Sequence, residues 1–355
     1  MADDELAVCR QRFADFARSV ERSAPLYAEL ASGVASDDHL TGLLLAAPVA
    51  QRQPVLMFAC VHWLLLHDPH DPLAAWYPNL TAAPRRSGAI DAFARFVRAH
   101  DDELRSLLSS RATQTNEIGR SSLFLPAFAM LDGECGPLAR IDVGASAGLN
   151  LLAGAFHYDY EPGGAVGPAD ASVRLHCRTE GAVPVPTVLP RIAVAVGLDP
   201  NPVDVRDPDQ ARWLEACVWP DEVERFHRLE AAIALARTVG VDLRRGDAVA
   251  DSAALTGELG QRGHPVLTTS WVMNYLTPDE RREFVAALHG AAAGQDVSWV
   301  YAENPALCPE LPGGEVQGDD PNLPTSLVLV RWRGGRRTAV LLARCHPHGR
   351  WMRWV

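Results

Sequence analysis

The sequence predicts an α/β protein: an all-helical N-terminal region, residues 1–120, followed by a Rossmann-like sheet of about seven strands that ends in an antiparallel hairpin, residues 121–355. Three observations predict it. Apolar residues recur at steps of three and four through the first region. From Leu138 onward, short β-rich runs alternate with amphipathic segments. The first of those runs ends in an acid and turns through glycines.

In the helical region, Leu6, Cys9, Phe13, Phe16 and Val20 form one apolar stripe along a helix. A second helix begins near Ser23-Ala24-Pro25. Further helices are expected over residues 54–66 and 90–108, separated by a loop dense in proline and aspartate over residues 67–86. No strand is expected before residue 135. The second region then reads as strands at 138–143, 192–198, 241–243, 266–268 and 297–302, with helices in the gaps. One helix runs from about Asp221 to Val239 and stops at Gly240. Another starts at Thr277-Pro278-Asp279-Glu280, with a capping threonine, proline at the first position and glutamate at the third, and Gly290 follows Leu288 near its end. After an acidic loop rich in proline and glycine, residues 327–332 and 338–343 flank Gly334-Gly335 as a hairpin. Between the first two strands, residues 156–190 exceed an ordinary connection and carry the alternating Val173-Arg174-Leu175-His176-Cys177. This segment is expected to be an inserted hairpin that covers a site.

At 355 residues the chain makes one large domain or two of ordinary size. Its 48% hydrophobic and 22% charged residues are those of a globular protein. The longest nearly apolar stretch, residues 55–66, contains His62 and is well short of the ~20 residues a membrane span needs. The start, Met1-Ala2-Asp3-Asp4-Glu5, is acidic where a secretory signal is basic, so a cytoplasmic protein is expected. A net charge of −11 repels polyanions, so the expected partner is a small molecule, with neither nucleic acid nor membrane, and the oligomeric state is left open. All 33 basic residues are arginine, which excludes a phosphate-loop lysine, a Schiff base and pyridoxal phosphate attachment. The seven cysteines are scattered and never in a C-x-x-C pair, the pattern of thiols in a reducing compartment.

The sharpest motif is Ile141-Asp142-Val143-Gly144-Ala145-Ser146-Ala147-Gly148-Leu149-Asn150. It reads as a buried strand that turns into a helix, with amides at the turn to attract an anionic or polar group. Asp142 is placed to balance a positive charge or accept a proton. Asp199, just past the second strand, stands where an acid is expected to grip ribose hydroxyls, 57 residues after Asp142 as the inserted segment would explain. Asp247 follows the third strand, and Trp271, Asn274 and Tyr275 follow the fourth. Upstream, the polar run Thr113-Gln114-Thr115-Asn116-Glu117-Ile118-Gly119-Arg120-Ser121 reads as a connector that reaches a crevice. Each of these also has a structural reading: glycines for packing, aspartates for turns and caps, aromatics for seating a helix on a sheet.

The D-x-G-x-x-x-G run resembles the first motif of class I S-adenosylmethionine-dependent methyltransferases, with Ser146 in place of a common middle glycine. Together with Thr-Gln-Thr-Asn-Glu-x-Gly-Arg, the Gly-Leu-Asp-x-Asn-Pro strand end, Ala211-Arg212-Trp213-Leu214 and Trp219-Pro220, it also resembles a bacterial domain-of-unknown-function family with a methyltransferase-like core. The resemblance implies that S-adenosylmethionine is held by Asp142, Gly144, Ser146, Gly148, Asn150, Asp199, Asp247 and Trp271. It implies Asp247 at the adenine amino group, while the aromatic residues after the fourth strand, Trp271 or Tyr275, are read as facing the sulfonium or stacking on a substrate ring. Asn116, Arg120, Asn274 and Tyr275 are then expected at the substrate, with Glu303 and Glu117 as candidate bases for a hydroxyl acceptor.

Two further readings compete. Gly144-Ala145-Ser146-Ala147-Gly148 also matches the G-x-S-x-G elbow of a serine hydrolase, with His346 or His348 near the C-terminus as its histidine. A non-catalytic nucleoside-binding domain would keep the crevice without turnover. A nicotinamide site is disfavoured because Ser146 breaks G-x-G-x-x-G, and no metal is expected, since His62, His67, Asp68, His70 and Asp71 lie in a proline-broken stretch without ligand spacing.

Overall fold

The computed structural model of the chain describes residues 2–312 and 325–355 and divides into two compact units, residues 1–115 with 206–230, and residues 116–205 with 231–355. The expected boundary near residue 120 lies close to the first break. What the sequence did not show is that a later segment returns to the helical unit.

That unit opens with helices α1 (Ala2–Val20), α2 (Pro25–Ala35), α3 (Asp38–Leu43), α4 (Pro54–His67), α5 (Ala89–Ala99) and α6 (Asp101–Ser110). The single helix expected over 90–108 is two, divided at His100, whose backbone is non-helical. α4 is apolar all round, and Phe58 at its centre is fully buried among Phe13, Phe16, Tyr27 and Phe93, with ring centroids 4.6–6.0 Å away. The returning segment adds Trp213 and Ala216 to this core. His62 is fully buried on the same helix, its Nδ1 3.1 Å from the Ala216 carbonyl and its Nε2 2.9 Å from the Asn79 amide, and burial lowers its pKa to about 4.

The second unit begins with α7 (Ser121–Cys135) and β1 (Leu138–Val143), which is buried along its whole length. Then come β2 (His157–Glu161), β3 (Gly164–Val166), β4 (Arg174–Glu180) and β5 (Ile192–Asp199). α8 (Pro208–Ala216) and the start of α9 (Val223–Val239) belong to the helical unit. The remaining elements are β6 (Asp242–Arg245), α10 (Ala248–Leu259), β7 (His264–Ser270), α11 (Pro278–Ala291), β8 (Val297–Glu303), β9 (Thr325–Arg333), β10 (Arg336–Cys345) and β11 (Trp351–Trp354). The capping box at Thr277 and Glu280 is formed as the sequence implies.

Among the described residues eleven strands join one sheet, in the order β3-β2-β4-β11-β10-β9-β8-β7-β1-β5-β6, so the expected count of about seven is corrected. The five strands read from the sequence as alternating with helices are the parallel set β6-β5-β1-β7-β8, and β9 and β10 are the terminal antiparallel pair. The extra four come from two sources. β2, β3 and β4 are the segment expected to cover a site, but β4 alternates exposed and buried residues and pairs with β11, so the segment extends the sheet edge. β11 is only four residues long, too short for its periodicity to register.

Within the parallel set the chain moves outward from β1 through β5 to β6, then crosses back to β7 on the other side of β1. The carboxyl ends of β1 and β7 therefore flank the point where strand order reverses, the position at which open α/β sheets form a crevice.

Candidate functional site

β1 delivers Asp142 to that switch point. Its carboxylate is buried, accepts from Thr268 Oγ1 on β7 at 2.7 Å and lies 3.6 Å from Arg140 Nη2. The chain then bends with three residues at positive φ: Gly144 at 72°, Ser146 at 53° and Gly148 at 68°. Glycine is required at 144 for space as well, because a Cβ there would lie 2.5 Å from Val272 Cγ2.

The bend does not open into an α-helix as expected. Leu149–Ala155 is a 3-10 helix, and the amides expected to attract an anion are used within the chain. Gly144 and Ala145 both donate to the Leu198 carbonyl, and Ser146 N donates to Asp199 Oδ2 at 2.7 Å. The bend docks sideways on β5 through the amides of Gly144, Ala145 and Ser146. Asp199 Oδ1 meanwhile accepts from Asn201 N at 2.8 Å, so this buried carboxylate holds the non-glycine residue of the bend in its left-handed conformation.

The polar connector knits this corner together. Asn116 Nδ2 donates to the Ala145 carbonyl at 3.1 Å. Glu117, 2% exposed, accepts from Gly119 N through Oε1 and meets His348 Nδ1 at 2.9 Å through Oε2. Arg120 turns its guanidinium on the chain's own carbonyls, with Nε on Pro347 O and Nη1 on Ser270 O and Oγ. Asn150 joins in through its side chain, accepting from Ser121 Oγ at 2.7 Å and donating to the Glu117 carbonyl. Among the described residues, Ser146 Oγ and Asn116 Oδ1 beside the bend are buried with no hydrogen-bond partner.

At the neighbouring strand end, Glu303 is fully buried and accepts from the amides of Val272 and Met273. Burial pushes its carboxyl up to about 7, against those amides, Thr269 and Arg120, which pull it down. It thus anchors the turn after β7, where Trp271 sits at φ 60° and donates from Nε1 to Thr325 Oγ1 at 3.2 Å. Asn274 and Tyr275 are exposed on that turn, Tyr275 by 82%.

The structure thus brings Asn116, Glu117, Arg120, Asp142, Gly144, Ser146, Gly148, Asn150 and Asp199 into one bonded corner. It gives Asp247 a different task. That residue is exposed at the start of α10 and accepts from the amides of Val249 and Ala250. His348 is the partner that sequence reasoning did not tie to Glu117. The sequence offered it only as a candidate hydrolase histidine in the polar turn His346-Pro347-His348-Gly349, separated from the connector by more than two hundred residues.

Glu117 and His348 form a carboxylate–imidazole pair in which the carboxylate is enclosed and the imidazole side chain is 32% exposed. Nδ1 is the ring nitrogen turned to Glu117, and Nε2 lies on the other side of the ring. Among the described residues no group of three or more His, Cys, Asp or Glu is placed to hold a metal ion, and no helix is long and apolar enough to cross a membrane.

The sequence matches, over residues 10–354, the family described as an uncharacterized protein conserved in bacteria (DUF2332), and the chain belongs to that family. No curated protein and no solved structure matches it.

Proposed function

We propose that the second unit is a class I methyltransferase-like domain that binds S-adenosylmethionine at the Gly144–Gly148 bend and methylates a small molecule. The observation that carries this reading is the pair of orphaned buried atoms, Ser146 Oγ and Asn116 Oδ1, beside a glycine bend at the switch point of a parallel sheet. An unpaired buried polar group costs about 1–3 kcal/mol, which a ligand's donors and acceptors at this position would offset.

The residues present fit the polar end of such a ligand. Ser146 and Asn116 supply a hydroxyl and a carbonyl, and Asp199 and Asp142 supply negative charge beside them. Asp247 is left out, since its carboxylate caps a helix. When bound, S-adenosylmethionine supplies an electrophilic methyl group on a positively charged sulfur. The chain's own contribution is alignment, which is worth up to about 7–11 kcal/mol for well-oriented reactants. A hydroxyl or amine acceptor loses its proton to His348 Nε2, and Glu117 stabilises the imidazolium that results. Glu117 is therefore a positioning residue. Glu303, enclosed and bonded to two amides, holds the Trp271 turn, and Tyr275 offers an exposed ring for an acceptor to stack on.

A serine hydrolase reading draws on one specific observation, the left-handed backbone of Ser146 within G-x-S-x-G. Against it, Ser146 Oγ has no hydrogen bond, whereas a triad serine bonds its histidine.

Calorimetric titration with S-adenosylmethionine and its demethylated product tests the proposal. Ser146→Ala is expected to weaken binding about tenfold while stabilising the free protein by about 1 kcal/mol, because it removes an unpaired buried hydroxyl. No binding at millimolar ligand ends the proposal. Fluorophosphonate labelling that disappears in the same variant would put the hydrolase in its place, and binding without turnover against acceptor panels would identify a nucleoside-binding domain.

A further inference from the structure

A cavity of about 480 Å³ opens within the second unit, on the face of β1 and β5 that carries Arg140 and Ala195. It exists because the chain after the bend forms only the short 3-10 helix Leu149–Ala155, and because β5 presents Ala193 and Ala195 where larger side chains would fill the volume. The walls are hydrocarbon, with Leu125 and Phe128 from α7, Leu152 from the 3-10 helix and Val239 from the end of α9. Val239, one of these lining residues, stands 62% exposed, so the wall is apolar where it meets solvent.

One cation lines this space. The Arg140 side chain is 2% exposed, with Nη1 on the Asn150 carbonyl, Nη2 3.6 Å from Asp142 and its guanidinium carbon 5.0 Å from the Phe128 ring centroid. Its Nε–H is buried and has no acceptor. Guanidinium groups match carboxylates through adjacent N–H donors, and a buried donor without an acceptor is rare. An apolar cavity of a few hundred cubic ångströms with a single polar anchor is the usual form of a site for an amphipathic small molecule.

We propose that this cavity binds an aliphatic monocarboxylate of about eight to twelve carbons, its tail against Leu125, Phe128, Leu152 and Val239 and its carboxylate accepting from Arg140 Nε. The anchor Arg140 also contacts Asp142 and the Asn150 carbonyl, which border the glycine bend, but the proposal does not rest on the nucleoside reading of that bend.

Decanoate is the probe, titrated calorimetrically into the full chain beside decanol and decylamine. Decanoate is expected to bind one to one, at least about tenfold more tightly than either analogue, and to weaken about fourfold for each methylene removed. Arg140→Met keeps the aliphatic stem and is expected to abolish the preference for the carboxylate. Ala193→Trp introduces a large ring at an exposed lining position and is expected to cut binding at least about tenfold with an unchanged melting transition, which keeps the test open should Arg140→Met fail to fold. Equal affinity for decylamine, decanoate binding unaltered by Ala193→Trp, or no binding at millimolar decanoate would each overturn the assignment.

Discussion

Glu303 makes stability depend on pH in a direction opposite to that of most carboxylates. Its carboxyl titrates at about 7 in the folded chain, because burial removes the water that would stabilise its charge, against an ordinary value of 4.5. Below pH 4.5 the group is protonated both folded and unfolded. Between the two values the folded chain keeps a proton that the unfolded chain has released, so stability falls as pH rises through this window and levels off above about 7. At about 1.4 kcal/mol per pH unit, the interval amounts to about 3 kcal/mol. His62 and His264, both lowered to about 4 chiefly by burial, act in the other direction, their stabilising contribution being lost as pH falls from 6.5 through 4. The absolute profile is therefore a sum, and a difference isolates one group. Urea unfolding of the wild type and of Glu303→Gln, followed by circular dichroism from pH 4.5 to 8.5, should give a stability difference that moves by about 3 kcal/mol in favour of the variant as pH rises. Glutamine preserves the shape and one acceptor for the Val272 and Met273 amides. A difference that stays flat across this range would refute the burial argument.

Other outcomes follow from the same contacts. Asp199→Ala strips the acceptor from two amides, one of them holding Ser146 at φ 53°, and should cost about 2–5 kcal/mol in urea unfolding, whereas Asp247→Ala, at an exposed cap, should cost about 1. Phe58→Ala should cost about 3–5 kcal/mol, read as a lowered midpoint for the helical unit, since the ring is fully buried among four other aromatic rings.

The glycine bend, the acids around it and the polar connector were legible as motifs, because turn chemistry and strand ends are local. Their partners were not. Glu117 looks like a base in the sequence and is the enclosed half of a pair with His348. Arg120 looks like a carboxylate clamp and holds the carbonyls of Pro347 and Ser270. Asp247 has the right strand position for a ligand but is used by the helix that follows it, a competition between local capping and distant binding that sequence spacing does not decide.

By itself the sequence determined the N-terminal helical region, the alternation that makes five strands parallel, the terminal hairpin and the hydrogen-bonding chemistry available at each strand end. Those properties depend on neighbours within a few residues, where periodicity and capping act. Only the tertiary structure decided that the eleven strands among the described residues share one sheet, that residues 206–230 rejoin the helical unit and that the bend docks on β5. The same holds for which buried polar atoms go unpaired. Edge pairing, close packing over glycine and hydrogen-bond satisfaction are set by residues far apart in the chain, and the energies that choose among them arise only when those residues meet.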